Sequence, residues 1–500
     1  MSGDPRLMSR QVFLEEQATG LRGQIVSALT TDKDLAIIKA PPGSGKTYNL
    51  LQITAELISS KSWKVAVAAQ TNNQANDLVD EFTRMFPALM VTRVGASGSN
   101  PPEGFHSDAL WVTSTSGIPD GPGLVIATSS KWASSNSAPI FDLLAVDEAW
   151  QMPWADLMRC SGISRKFMLI GDPGQIAPVT TVDIARWGTS LRPPHKAAPE
   201  VVFDDPQFDS TMIVGSLPSC RRLPAEAVSF VKPFYDFDFE AFAAPGERIF
   251  LPGEKATNSS SSELFLKLSD CQPVLVTIPT PDEGPPNHVD SEIALVIQKI
   301  VVDLMSSGAK IAHIPGMTLR EVREDDIGIT SPHRAMNGAI RKALGENHQH
   351  VRIDTPERWE GLQKPLMIAV HPLSGVTEPS EFDLATGRLC VMASRQQLAC
   401  IFVSRDHVGK TIENVIPSAT QAPGQADSIG KGRRAHLEFW EMLNSCERVG
   451  LYLRRRRRET NRPYIAMAAF HRMWLRLKFL LFYAFNGLNN SFNSRLASSI

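Results

Sequence analysis

The chain has 500 residues, 43% of them hydrophobic and 21% charged, with a formal net charge of −2. That length exceeds what one hydrophobic core usually serves, so two or three domains are expected. The composition excludes a disordered or collagen-like chain and a single small binding module. Cys160, Cys220, Cys271, Cys390, Cys400 and Cys446 are far apart and form no C-x-x-C pair, which argues against a disulfide framework or a structural zinc cluster and for a reducing interior. No apolar run follows the basic residues near the N-terminus, so no secretory signal is read there and the cytoplasm is expected.

In chain order, short apolar runs at 35–38, 65–69, 124–127, 143–146 and 167–170 predict buried parallel strands separated by helices. A second set at 274–278, 327–329, 366–370 and 398–403 follows a proline-containing stretch, so the natural parse is two α/β units joined near residues 190–215. Residues 95–137, rich in Gly, Ser and Pro, predict an exposed insertion or long loop in the first unit, and 252–262 a surface loop in the second. No repeat at solenoid periods is present.

The first predicted strand runs into Ala40-Pro41-Pro42-Gly43-Ser44-Gly45-Lys46-Thr47 and then, from Tyr48, into a helical pattern. This is a Walker A loop in its strand–loop–helix context, with Ala40 where the first Gly is usual. Small residues let backbone N–H groups wrap phosphates, Lys46 suits the β- and γ-phosphates, and Thr47 suits Mg²⁺. The strand at 143–146 ends in Asp147-Glu148, where Asp147 can hold Mg²⁺ and Glu148 can polarise an attacking water. An isolated Asp-Glu is usually a solvated turn, but beside Lys46 the catalytic reading prevails.

With these residues in hand, the chain resembles the superfamily 1 helicases across residues 20–450, because further motifs follow in that family's order. Residues 69–75 resemble motif Ia, which implies strand contacts from Thr71 and Asn72. Residues 171–178 resemble motif III, which implies that Gln175 senses the γ-phosphate. In 217–224 Arg222 aligns with an arginine finger and Arg221 stands where Tyr is usual. The segment Ser331-Pro332-His333-Arg334 looks like the family's backbone-gripping loop. Residues 354–363 are similar to motif V, implying a nucleic-acid contact from Thr355 and nucleotide contacts from Glu360, Gly361 and Gln363. In this loop Glu360 stands where Gln is usual and Gln363 where Glu is usual. Residues 387–396 resemble motif VI, with Ser394-Arg395 for the usual Thr-Arg and Arg395 as a second arginine finger. Gln24 lies about where the family has its adenine-reading glutamine, with Gln17 the alternative.

The resemblance implies two tandem RecA-like domains with parallel sheets: 1–205 with the insertion, 206–452, and a tail over 453–500. The ATP site would lie in the cleft between the two domains. The motif forms look most like the 5′-to-3′ branch, superfamily 1B. Thr71, Asn72, Thr128, Ser129, Ser331 and Thr355 suit sequence-blind phosphate contacts as a set, although each alone reads as a cap or turn residue.

Beyond residue 430 the composition changes: residues 431–500 hold 14 Lys and Arg against 4 Asp and Glu, including five consecutive arginines at 454–458. Arg472, Arg476 and Lys478 interrupt the apolar stretch that follows, leaving no membrane span. Such a tail suits a nucleic-acid backbone, a membrane surface or a docking protein. The expected function is an ATP- and Mg²⁺-dependent helicase or translocase on single-stranded nucleic acid, DNA ahead of RNA, acting as a monomer. The alternative is a nucleic-acid-stimulated ATPase serving as a switch or remodelling subunit of a larger complex without unwinding.

Overall fold

A computed structural model describes residues 5–135, 140–179, 184–187, 189–255, 261–416, 427–446 and 449–450. The basic tail at 453–500 lies outside the described residues.

The apolar runs of the first lobe become β1 (Leu35–Lys39), β2 (Lys64–Ala69), β3 (Val91–Val94), β4 (Leu110–Val112), β5 (Gly123–Thr128), β6 (Leu143–Val146), β7 (Phe167–Gly171) and β8 (Met212–Ser216). They form one sheet in the order 4-3-5-2-6-7-1-8, with every pairing parallel. Parallel neighbours need crossovers, and the helices that supply them cover both faces, which is why these strands read as near-continuous apolar runs. Side chains alternate along β1: Ala36 and Ile38 join the core on one face, Leu35 and Ile37 the core on the other. The helix Lys46–Lys61 closes one face by burying Leu50, Leu51, Ile53, Leu57 and Ile58. It stops where Ser62 adopts a left-handed conformation and donates its N–H to the Ile58 carbonyl.

Two features of this lobe differ from the sequence reading. Residues 95–137 are not simply an exposed insertion, because besides β5, expected from the run at 124–127, they contain β4, which pairs with β3 at the edge of the sheet. The Gly, Ser and Pro that suggested a loop belong to the turns around these strands. The sheet also ends later than residue 205, since β8 pairs with β1 from Met212 to Ser216.

Beyond it come β9 (Ser219–Cys220), β10 (Glu240–Ala241), β11 (Ile249–Leu251), β12 (Val274–Ile278), β13 (Lys310–Ala312), β14 (Arg320–Glu321), β15 (Ile327–Thr330), β16 (Arg352–Asp354), β17 (Lys364–Val370), β18 (Gln396–Arg405) and β19 (Val449–Gly450). The second large sheet has the order 16-15-17-18-12-19, again with parallel pairings. Two small sheets, β9 with β10 and β11 with β13 and β14, flank it. The fold is thus α/β with two parallel sheets, as expected. A buried ion pair braces the second lobe: Asp290 caps the helix Ser291–Ser307 and receives Arg405 Nε at 2.7 Å and Nη2 at 2.8 Å. Among the described residues no helix is long and apolar enough to cross a membrane.

His436, on the helix Ser428–Ser445, is fully buried, with its ring 5.6 Å from that of His371. Burial holds its pKa down, at about 4. An unfolded histidine takes up a proton near pH 6.5, whereas this one refuses it until about 4, so stability present above pH 6.5 is lost as pH falls through that window. We expect His436 to account for about 3 kcal/mol of that loss, at roughly 1.4 kcal/mol per pH unit. Urea midpoints measured from pH 7 to pH 4.5 should decline less steeply for His436→Leu than for the parent chain, and equal slopes would refute the assignment.

Candidate active site

Parallel strands end at one edge of a sheet, and the chemistry suggested by the sequence collects at those carboxyl ends. The loop 40–45 follows β1, Asp147 and Glu148 follow β6, and Asp172 and Gln175 follow β7. Gly43 and Gly45 have φ of 63° and 79°, which Gly tolerates without a Cβ penalty. The space at Gly43 is required as well, because a Cβ there would lie 2.4 Å from Arg222 Cβ. Arg221 N–H donates to the Gly43 carbonyl at 3.0 Å, so the phosphate loop and the arginine segment are packed backbone to backbone.

Within this loop Lys46 Nζ lies 2.6 Å from Glu148 Oε2, and Thr47 Oγ1 lies 3.4 Å from Asp147 Oδ2. Glu148 itself has φ 53°, a left-handed conformation costing a non-glycine residue about 1–2 kcal/mol. Its N–H donates to Asp147 Oδ1 at 3.0 Å, which helps hold the turn. Burial, with the Glu148 charge adding, pushes the Asp147 carboxyl up to about 7 despite Lys46. A buried carboxylate short of positive charge beside a hydroxyl is a donor set that fits a hard divalent cation such as Mg²⁺. Ser44 Oγ is buried without a hydrogen-bond partner, which fits a loop shaped for an anion.

The second lobe closes over this loop. Arg222 Nε donates to Gln363 Oε1 at 3.0 Å and Nη1 to the Ser394 carbonyl at 3.2 Å. Arg395 is 1% exposed, and none of its three guanidinium nitrogens has a hydrogen-bond partner among the described residues. Desolvation, followed by the charge of Arg395, lowers the Arg222 pKa to about 10. Glu360 Oε1 is likewise buried without a partner. Burial pushes the Glu360 carboxyl up to about 7; Arg395 and Lys46 oppose the rise, and Glu148 and Glu357 add to it. Gly361, at φ 75°, turns the chain after it. Uncompensated guanidinium charge at the mouth of a phosphate loop is what a polyanion repays.

Gln175 sits between the lobes: its Nε2 donates to Asp172 Oδ2 at 3.1 Å, and its Oε1 accepts from Gln151 Nε2 at 3.3 Å. Gly387 of the second lobe packs against it, since a Cβ there would lie 2.5 Å from the Gln175 carbonyl oxygen. Gln24 is not drawn into this cluster. It is exposed and, with Gln17, borders an open cleft against Gly215 and Ser216. From the same helix Arg22, unremarked in the sequence, makes a polar contact with the phosphate-loop helix: its Nη1 donates to Asn49 Oδ1 at 2.8 Å and its guanidinium lies 5.9 Å from the Tyr48 ring centre.

The residues expected at nucleic acid lie at the carboxyl ends of β2, β5, β15 and β16. Thr71, Asn72 and Arg334 are exposed. Thr71 and Thr128 cap the helices Asn72–Met85 and Ser129–Ala133. Ser331 is fully buried, with its hydroxyl donating to the His333 carbonyl at 3.1 Å, and Ser129 and Thr355 are also buried. The His333 ring stacks toward Phe382 at 5.9 Å, and Pro332 is partly buried beside it. Asn72 has a partner outside every motif: Arg93, 1% exposed, whose Nη2 donates to Asn72 Oδ1 at 2.9 Å and Nε to Asn76 Oδ1 at 3.0 Å.

Residues 22–188, which include the phosphate loop, the Asp147-Glu148 pair and Gln175, match the family model described as an AAA domain. The chain is 30% identical over 70 residues to an uncharacterized ATP-dependent helicase of Methanocaldococcus jannaschii, covering 14% of this chain and 11% of that one. It is 22% identical over 384 residues to the DNA replication ATP-dependent helicase/nuclease JHS1 of Arabidopsis thaliana, covering 74% of this chain and 26% of that one. Both curated relatives are named as ATP-dependent helicases, the class that the motifs of this chain resemble. The chain spans about a quarter or less of the length of these relatives. The solved helicase of an arterivirus, nonstructural protein 10, is similar at 13% identity and a TM-score of 0.39, covering 77% of this chain and 63% of that one.

Because Arg395 is buried and unpaired, Arg395→Met should stabilise the protein without nucleotide by about 1–4 kcal/mol, as when a buried charge gives way to an apolar side chain of similar volume. Urea unfolding checks this, and a lower midpoint for the variant would contradict it.

Proposed function

We propose that the chain is an ATP-dependent helicase or translocase that hydrolyses ATP between its two lobes and moves along single-stranded nucleic acid. DNA is favoured over RNA and movement is 5′-to-3′. The observation that carries this reading is Arg395, a buried guanidinium without a partner that the second lobe holds beside Arg222, above the Lys46 loop of the first lobe. A site with Lys46, Asp147 and Glu148 on one lobe and two arginines on the other is complete only when the lobes close. The preference for DNA is supported by the Arabidopsis relative, whose name places it in DNA replication.

Thr47 and Asp147 would hold Mg²⁺, which supplies charge neutralisation at the β- and γ-phosphates. Lys46 exchanges Glu148 for phosphate oxygens, and the backbone of residues 42–45 wraps them. Glu148, released from Lys46, orients the attacking water and accepts its proton. Arg222 and Arg395 stabilise the charge that develops on the γ-phosphoryl oxygens. Gln175 reports that state across the cleft, and the closing lobes change the distance between a strand held near Thr71 and Asn72 and one held near Arg334.

Lys46→Ala should abolish ATP turnover, and Glu148→Gln should retain nucleotide binding while blocking hydrolysis. A fluorescent-nucleotide titration beside a phosphate-release assay separates the two. Arg222→Ala and Arg395→Ala should each lower single-turnover hydrolysis by roughly a thousandfold with nucleotide affinity largely kept, and near-normal rates for both would end the composite-site reading. Displacement of a strand from a 5′-tailed duplex with ATP, and not without it, tests unwinding. ATP hydrolysis without displacement would point instead to a switch ATPase.

A further inference from the structure

Tyr235 belongs to none of the motifs above. It follows the short turn Lys232–Phe234, and its ring packs edge-on against Phe237 and Phe239 in the second lobe's core, at 5.5 and 5.2 Å between centres. Its hydroxyl leaves that core and meets Asp172 Oδ1 of the first lobe at 2.9 Å. Gly174 makes the approach feasible, because a Cβ there would lie 2.5 Å from the tyrosine ring. Asp172, 1% exposed, also accepts from Gly174 N–H at 2.9 Å and from Gln175 Nε2 at 3.1 Å.

A carboxylate only accepts, so the single hydroxyl hydrogen of Tyr235 goes to Asp172. The 3.4 Å contact between the same hydroxyl and Cys390 Sγ is then a thiol donating to the tyrosine oxygen. Burial, with Asp172 adding, keeps that thiol protonated by pushing its pKa up to about 12. Cys390 lies on the helix Thr386–Ala393, which ends two residues before Arg395. At the other end, Gln175 is held by Gln151, in the turn directly after Glu148. One line of hydrogen bonds therefore runs from the helix that precedes Arg395 to the turn that follows Glu148.

We propose that Tyr235 is a positioning residue: its hydroxyl ties Asp172 and Gln175 of the first lobe to the helix leading to Arg395 in the second, so that the two halves of the site align together. This rests on the ATPase reading above. A hydrogen bond to a buried carboxylate, formed only with the lobes together, biases their closed arrangement, and its loss should be felt in turnover rather than in nucleotide affinity.

Tyr235→Phe keeps the ring and its packing while removing the hydroxyl. With saturating single-stranded DNA it should lower kcat for ATP roughly ten- to hundredfold, leave KM within about twofold, and leave the folded state intact, as an unaltered circular dichroism spectrum at the assay temperature would show. Combined with Asp172→Asn, it should add little to the loss caused by Asp172→Asn alone. A kcat within twofold of the parent, or fully additive losses, would overturn the proposal. Amide exchange over residues 172–176 gives a readout that needs no activity, and Tyr235→Phe should speed it roughly ten- to hundredfold. Unchanged exchange would overturn the tie by itself. A parent chain that hydrolyses no ATP, with the exchange difference still present, would defeat the ATPase reading and leave the tie standing.

Discussion

Charge that neither lobe can neutralise alone is the constraint on which the rest of the structure turns. The first lobe gathers Asp147, Glu148 and Asp172 around one lysine, and burial pushes the Asp147 carboxyl up to about 7. The second lobe holds Arg395 with no hydrogen-bond partner and Arg222 with only neutral acceptors. Each arrangement is costly by itself, since buried charge without compensation is among the least favourable states a side chain can occupy. The lobes stay together because apolar burial and close backbone packing outweigh that cost. A triphosphate with a divalent cation would answer both excesses at once, which is the basis for reading the cleft as a nucleotide site.

Close packing across the cleft is what makes the arrangement specific. Gly43 against Arg222, Gly174 against Tyr235 and Gly387 against Gln175 are three places where a single added methyl would meet an atom at 2.4–2.5 Å. Backbone and ring approach at each point to distances that only glycine permits. Small rearrangements at the phosphates therefore have few soft contacts in which to dissipate. Under the proposed motor function they would be passed on as movement of the lobes.

How much of this was legible in the sequence follows from how local each signal is. The phosphate loop, Asp147-Glu148 and Gln175 lie within short segments whose residue order is itself the chemistry, and all appear together at the strand ends. Buried parallel strands were also legible, because burial on both faces writes itself as an apolar run. What was not legible depends on distant partners. β8 is only partly buried, so no long apolar run announces it, and its place beside β1 is set by tertiary pairing. Arg22 and Gln24 are two residues apart on one helix, yet the helical turn points only Arg22 at the phosphate-loop helix. Tyr235 sits in an aromatic run that reads as ordinary core, and nothing nearby in sequence indicates Asp172. Ser331 reads as a phosphate ligand by composition, but its hydroxyl is already committed to the His333 carbonyl.

The exchange of Glu and Gln in the 354–363 loop has a physical consequence at this site. Gln363 accepts from Arg222 Nε at 3.0 Å as a neutral amide, so it orients the guanidinium without cancelling its charge. A carboxylate at 363 would form a charge-assisted pair there and leave less of that charge for phosphate. The acid removed from 363 is matched by one at 360, where burial pushes the carboxyl up to about 7 and Oε1 has no partner. A carboxyl at that value carries its charge only part of the time near neutrality, so it does not quench the arginines as a fixed anion would. Both halves of the exchange act in the same direction: they keep the second lobe's positive charge available for what the first lobe's loop is shaped to hold.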